Sequence, residues 1–274
     1  MNLKSQLIQL QTEKLDCLSR EDLEILIENM LDNIGSIDSE LRDKLIYTTF
    51  IRLIDENLLT AKHYHHILKI CLDNQHLFFK IGEANTDSVF TRSFSCLIIA
   101  AILCKDSYLE MFSETNIEKI FEKSVCYLKN EKDTRGYVEG KGWAHSIAHG
   151  ADLLVALVNH PNFSKKNIHD VLNTVENCLF KKAAYIDDED ERLIFVIEGL
   201  LKQDLEEIML EEWVSRIFNK LQLINEKEGF SDNFFRIKFN VVNFLKTLYF
   251  SLGFQDKCYK ARRLIDDYLK SLFY

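Results

Sequence analysis

One proline, Pro161, stands in a chain of 274 residues, alongside nine glycines. Sandwiches and barrels that turn every few residues need many more such breakers. Apolar residues instead recur at i, i+3, i+4 and i+7 along nearly the whole sequence, separated by short polar turns. That period marks one face of an α-helix. Hydrophobic residues make up 47% and charged residues 28%, a balance that folds around a core and does not stay disordered. The fold class read from these features is all-α.

Charge and cysteine usage narrow the function classes. A net charge of -9 argues against a general nucleic-acid binder, because affinity for phosphate backbones needs a basic surface. The longest strongly apolar run, Leu97–Cys104, is far short of the ~20 residues that span a bilayer, so no membrane insertion is expected. Residues 1–6 lack the basic start and apolar stretch of a signal peptide. Cys17, Cys71, Cys96, Cys104, Cys126, Cys178 and Cys258 stand singly, without a C-x-x-C pair. They read as reduced core thiols of a cytoplasmic protein.

Five segments start on a polar cap and run into an apolar helix, opening near Asp38, Ser88, Lys141, Asp188 and Asp232. Second amphipathic helices follow, over Thr115–Leu128, Lys165–Leu179, Leu205–Leu223 and Gln255–Leu272. Intervals of roughly fifty residues match two-helix repeats of the HEAT or armadillo kind, slightly stretched. The expectation is one right-handed α-solenoid of helical hairpins over residues 1–274, with residues 1–37 as N-terminal capping helices. Four residues past each opening comes Arg42, Arg92, His145, Arg192 or Arg236. Either Arg42, Arg192 and Arg236 pair with the capping aspartates Asp38, Asp188 and Asp232, or the five line one groove. In the middle repeats the opposite face is apolar, through Phe90, Phe94 and Leu97, then Trp143, Ile147 and Leu154.

Glycines cluster only in residues 129–142, through Gly136, Gly140 and Gly142, as in an ordered loop at a groove mouth or a plain connector. His145 and His149 follow one helical turn apart, with Asp152 three residues on. Two imidazoles and a carboxylate at that spacing can bind a divalent metal such as zinc. Ser146 stands where a zinc protease has its glutamate, so protease chemistry is not implied. The competing account is a packed hydrogen-bond network without any cofactor. Residues 86–95 gather hydroxyls, Asp87 and Arg92 at a helix start, which suits helix capping or an anion. The acids of 187–191 suit the positive end of a helix dipole. His63, His65 and His66 read as exposed, with no acid or cysteine nearby to complete a site. No phosphate loop, serine-nucleophile elbow or dinucleotide fingerprint is present.

Three strings carry a resemblance: Thr86-Asp-Ser-Val-Phe-Thr-Arg-Ser-Phe-Ser95, Glu131-Lys-Asp-Thr-Arg-Gly-Tyr137 continuing into Lys141-Gly-Trp-Ala-His-Ser-Ile-Ala-His-Gly-Ala-Asp152, and Asp187-Asp-Glu-Asp-Glu-Arg-Leu193. They resemble the signature blocks of the uncharacterised bacterial family called domain of unknown function 2785. The resemblance runs over most of the chain and implies a helical protein without an assigned activity. It also implies that Asp87, Arg92, Glu131, Asp133, Arg135, Lys141, Trp143, His145, His149, Asp152, Glu191 and Arg192 lie near one another. The expected function is binding of a protein, peptide or small anionic ligand in a polar groove. One alternative is a metal-dependent hydrolase using His145, His149 and Asp152, with Glu131 or Asp133 as acid/base. Another is an assembly partner with no site.

Overall fold

The computed structural model describes residues 2–12 and 15–272, and the Cys17 side chain lies outside the described residues. The α-helices are α1 (Leu3–Thr12), α2 (Arg20–Asp32), α3 (Thr48–Asp55), α4 (Ala61–Cys71), α5 (Ser88–Leu109), α6 (Glu114–Asn130), α7 (Ser146–Val158), α8 (Ile168–Leu179), α9 (Glu189–Lys202), α10 (Glu207–Glu228), α11 (Asp232–Phe254) and α12 (Tyr259–Ser271). A π-helical segment, Glu40–Tyr47, leads directly into α3. Two short strands, β1 (Tyr137–Val138) and β2 (Gly142–Trp143), pair antiparallel. The protein is all-α, as its periodicity requires. It divides into two compact units, Met1–Phe163 and Ser164–Tyr274.

In the first unit α5 is the core helix. It is apolar nearly all round, burying Val89, Phe90, Phe94, Ile98, Ile99, Ile102 and Leu103, which is the signature of a helix inside a protein. By length and hydropathy it is long and apolar enough to cross a membrane, but 72% of that stretch is buried within the molecule. Its main partner is α7, while α6 packs on α7 and α4 on α5. A uniform hairpin repeat would pair α5 with α6, and these pairings do not describe one. Gly150 lets α7 approach α6: a Cβ there would stand 2.4 Å from Leu128 Cδ2. The C-terminal turn of α5 is held by buried Asp106, whose carboxylate accepts the N–H groups of Met111 (2.6 Å) and Phe112 (3.2 Å). His160 Nε2 lies 3.1 Å from the same carboxylate.

The helix expected to open at Lys141 is replaced by the β1–β2 hairpin, and α7 starts only at Ser146. The reason is backbone conformation. Gly140 and Gly142 take φ of +73° and +78°, a left-handed geometry that glycine adopts without a steric penalty and that no helix contains. Trp143 therefore sits on a strand and is 41% exposed, and does not belong to an apolar helix face. The cysteines depart from expectation too: Cys71, Cys96 and Cys178 are buried, but Cys104 and Cys126 are exposed. Both lie on helix faces that turn outward.

In the second unit α11 packs against α8, α9, α10 and α12. Buried Trp213 on α10 donates its Nε1–H to Leu172 O (3.0 Å) and meets Phe244 edge-on. Asn240, fully buried, accepts the Tyr185 N–H (2.8 Å) and donates to Ala183 O (2.7 Å), fixing the turn between α8 and α9. Asp188 does not cap α9 with its side chain; its φ is 65° and the acids of the first turn follow it. One of them, Glu189, is only 1% exposed. Burial pushes its carboxyl up from 4.5 to about 6, against hydrogen bonds from backbone N–H groups that pull it down.

That shift has a definite sign. Between about 4.5 and 6 the folded chain holds a proton that the unfolded chain has released, so stability falls as pH rises through this window. Glu189→Gln is expected to flatten the slope and to be more stable at pH 7 by up to about 2 kcal/mol. Urea unfolding between pH 4.5 and 7, followed by Trp213 fluorescence in a Trp143→Phe background, measures it. An unchanged slope would show that Glu189 does not carry the dependence.

Candidate functional site

Two of the three polar strings, 86–95 and 131–152, lie in the first unit and converge around the start of α5. Arg92 is fully buried, and its Nε and Nη2 donate to Glu131 Oε2 (2.6 Å) and Oε1 (2.9 Å). Its Nη1 donates to Phe79 O (2.9 Å) and Ser88 Oγ (2.8 Å). Burial alone pulls the guanidinium down, but the Glu131 hydrogen bond and charge outweigh it and hold Arg92 above its ordinary value. Glu131 Oε1 also accepts the Asp133 N–H (2.9 Å). Asp133, 1% exposed, accepts from Asn85 N (2.8 Å), Arg135 Nε (2.8 Å) and Arg135 Nη2 (2.6 Å). Arg135 Nη2 reaches Thr86 O at 2.7 Å.

The same segment seats α7. Ser146 Oγ donates to Asp133 O, His145 N–H to Arg135 O (3.1 Å) and Ala144 N–H to Gly136 O (2.8 Å). Val138 packs on Val89, Phe90 and Ala144, which ties the hairpin to α5. Arg42, fully buried in the π-helical segment, donates to Ser36 O (2.7 Å), Lys141 O (2.8 Å) and Trp143 O (3.3 Å), and its Nε lies 2.7 Å from Asp43. Its guanidinium covers the Phe90 ring at 4.2 Å and the Phe94 ring at 4.8 Å. Gly142 permits that approach, since a Cβ would lie 2.8 Å from Ser39 Cβ and 3.2 Å from Arg42 Nη2. Lys141 pairs with Asp87 at 2.6 Å near the surface. Of the arginines expected to pair with a capping aspartate, Arg236 does so with Asp232 (2.7 Å). Arg42, expected to pair with Asp38, turns inward and pairs with Asp43; Arg92 turns inward to Glu131.

Histidine chemistry is constrained by this framework. Ser93 Oγ donates to Ala144 O and lies 2.6 Å from His149 Nδ1. A hydroxyl has one proton, so with that proton on Ala144 O, His149 must donate from Nδ1 to Ser93. The pair is therefore not a serine activated by a base. His145 is the residue before α7, with φ of 47°, so it does not share a helical face with His149. Its ring lies 4.3 Å from Trp143 and 5.6 Å, edge-on, from His149. Among the described residues no group of three or more His, Cys, Asp or Glu is placed to hold a metal ion. The spacing that suits a metal needs His145 inside the helix, whereas α7 begins one residue after it.

Aromatic groups form a path out of the network. Tyr137, 57% exposed, meets Trp143 edge-on at 5.0 Å. Beyond His145 and His149 come Phe94, 5.3 Å from His149, and Tyr47, 6.4 Å from Phe94. Tyr47 lines a cavity of about 470 Å³ together with Leu97, Ala101, Asp55 and Asp152. Asp152, half-buried, thus faces this cavity. Glu191 and Arg192 lie on α9 in the second unit. The sequence does not single out Ser93 or Tyr47, although Ser93 lies inside the hydroxyl-rich string 86–95; Arg42 is marked there only as one of five aligned residues.

A family model described as "Protein of unknown function (DUF2785)" matches residues 77–250. The chain belongs to this family. The matched segment takes in Arg92, Glu131, Asp133, the hairpin and α7, so the converging strings lie within it. No curated protein and no solved structure matches the chain.

The network sets unequal costs for losing its members. Removing one partner of a buried pair strands a charge and costs about 3–5 kcal/mol. An exposed pair is worth about 0–1 kcal/mol. Glu131→Leu is therefore expected to lower the unfolding free energy by several kcal/mol, and Lys141→Ala by less than about 1 kcal/mol. Equal losses in chemical denaturation would contradict a ranking by burial.

Proposed function

We propose that this protein is a binding module that takes a peptide segment of a protein partner on the path from Tyr137 and Trp143 to the cavity beside Tyr47. One observation carries the reading. Two large aromatic side chains are displayed at 57% and 41% exposure on a hairpin held from beneath by a buried arginine bound to two of its carbonyls. Exposed aromatics on a rigid support are the usual anchors of protein interfaces, because little side-chain entropy is lost on binding. Asp55 and Asp152 outnumber Lys105 at the cavity, which favours a segment with a basic residue next to an apolar one. A small anion is the weaker choice, since Arg42, Arg92, Arg135 and Lys141 each face a carboxylate of the protein itself.

The helical-hairpin solenoid belongs to the same proposal. In its support, the opening helices α5 and α7 pack together in the first unit, as α9 and α11 do in the second. The cytoplasm is the compartment proposed for it, in line with its singly placed cysteines.

Selection of a random peptide library on the wild-type chain tests the binding reading. Selected peptides are expected to carry adjacent basic and aromatic or aliphatic residues. They should bind Trp143→Ala, Tyr137→Ala at least tenfold more weakly, a typical anchor effect, while the melting temperature stays close to wild type. Peptides that bind the double variant unchanged would remove the path from the function.

A further inference from the structure

We propose that the cleft between α2 and α4 binds a primary α-amine flanked by a carbonyl or carboxylate oxygen, the group shared by free amino acids and peptide N-termini. The proposal is independent of the aromatic path and uses none of its residues. On α2, Glu24 and Glu28 are i and i+4 and share a face; on α4, His63 and His66 do so at i and i+3. The two helices pack, and the four side chains line one cleft of about 310 Å³ with Ile25 and Lys62. The acids that the sequence did not offer to these histidines come from another helix.

His63 is the informative member. It is only 6% exposed, not the exposed residue its neighbours suggested. Thr60 Oγ1 accepts the His63 N–H at the start of α4, and in return the Thr60 N–H donates to His63 Nδ1 at 3.2 Å. A neutral imidazole that accepts at Nδ1 carries its proton on Nε2. Burial also lowers the His63 pKa, against the charge of Glu24, which keeps the ring neutral. Nε2–H is thus a donor, yet it is buried without a hydrogen-bond partner. Glu24 Oε1 is 3.9 Å away, too far for a bond, and it takes Arg20 Nε at 3.3 Å. Buried donors left open are rare and call for a partner.

The surrounding groups specify that partner. An oxygen is required at His63 Nε2–H, and Lys62 adds a cation for a carboxylate. Glu24 and Glu28 suit an ammonium group, with His66 Nε2 hydrogen-bonded to Glu28 and able to turn aside because it is exposed. Ile25, 52% exposed, offers a wall for an aliphatic side chain. A metal ion does not fit, because the Nε2 lone pair of His63 is occupied by the proton.

Titration calorimetry on the full chain tests the site with L-leucinamide, L-leucine, leucyl-glycyl-glycine and N-acetyl-L-leucinamide. Saturable one-to-one binding of leucinamide is expected, and no binding of its N-acetyl form. The tighter of leucine and leucyl-glycyl-glycine identifies the source as a free amino acid or a peptide N-terminus. Glu24→Gln, Glu28→Gln, changes at a half-buried and an exposed position, should weaken binding at least tenfold. His63→Glu should do the same, since glutamate keeps an acceptor for the Thr60 N–H but removes the donor. Absence of saturable binding by the three free amines, equal binding of the acetylated compound, or full affinity in the Glu24/Glu28 variant would each overturn the proposal.

Discussion

A guanidinium and a carboxylate removed from water, Arg92 and Glu131, govern the first unit. Each ion alone would be too costly to bury, and their attraction repays the desolvation only when the remaining donors and acceptors are also bonded. That condition explains the surroundings. Glu131 accepts a backbone N–H from Asp133, and Arg92 spends its other nitrogen on Phe79 O and Ser88 Oγ. Meeting those needs fixes residues 131–135 against the start of α5. Asp133 then holds Asn85, Arg135 and, through its carbonyl, Ser146. The start of α7 is set by the same pair of charges that set the loop before it.

What the network supports is more exposed than the network itself. Arg42 reaches the hairpin from the π-helical segment and bonds to backbone carbonyls, so its hold does not depend on the side chains at 141 and 143. This leaves Lys141 and Trp143 free to face outward while their backbone is anchored. The glycine at 142 is required twice, for its left-handed φ and for the 2.8 Å approach of Ser39. Rigidity beneath and exposure above are one arrangement. It is this division, not any single charged residue, that makes the hairpin suited to recognition and poorly suited to acid–base chemistry.

The helices were legible because their signal is local. Expected starts at Ser88 and Asp232 coincide with α5 and α11, and the segment Thr115–Leu128 lies inside α6. Where the signal was not local, the sequence misled. At Lys141 the heptad-like spacing of Trp143, Ile147 and Leu154 simulated a helix, but three glycines in seven residues select a turn. Arg42, Arg92 and Arg236 occupy the same place in their segments, yet Arg236 takes the acid four residues before it, whereas Arg42 takes the adjacent Asp43. Arg92 finds Glu131, 39 positions away, and nothing in a single sequence specifies that partner. The convergence of the strings 86–95 and 131–152 came from the family resemblance, whereas their chemistry came only with the hydrogen bonds.

Histidines show most clearly why residue type and spacing do not settle a site. His63 and His149 are both buried near a helix start and both engage Nδ1 with a hydroxyl-bearing residue. The direction of one proton separates them. At His149 the Ser93 hydroxyl is committed to Ala144 O, so Nδ1 donates to Ser93. At His63 the neighbour is the Thr60 backbone N–H, which can only donate, so Nδ1 accepts and Nε2 presents a donor. The first imidazole completes a framework; the second ends in an open donor at a cleft that holds two carboxylates. A backbone group with a fixed polarity decides the role of each ring, and it does so before any ligand is present.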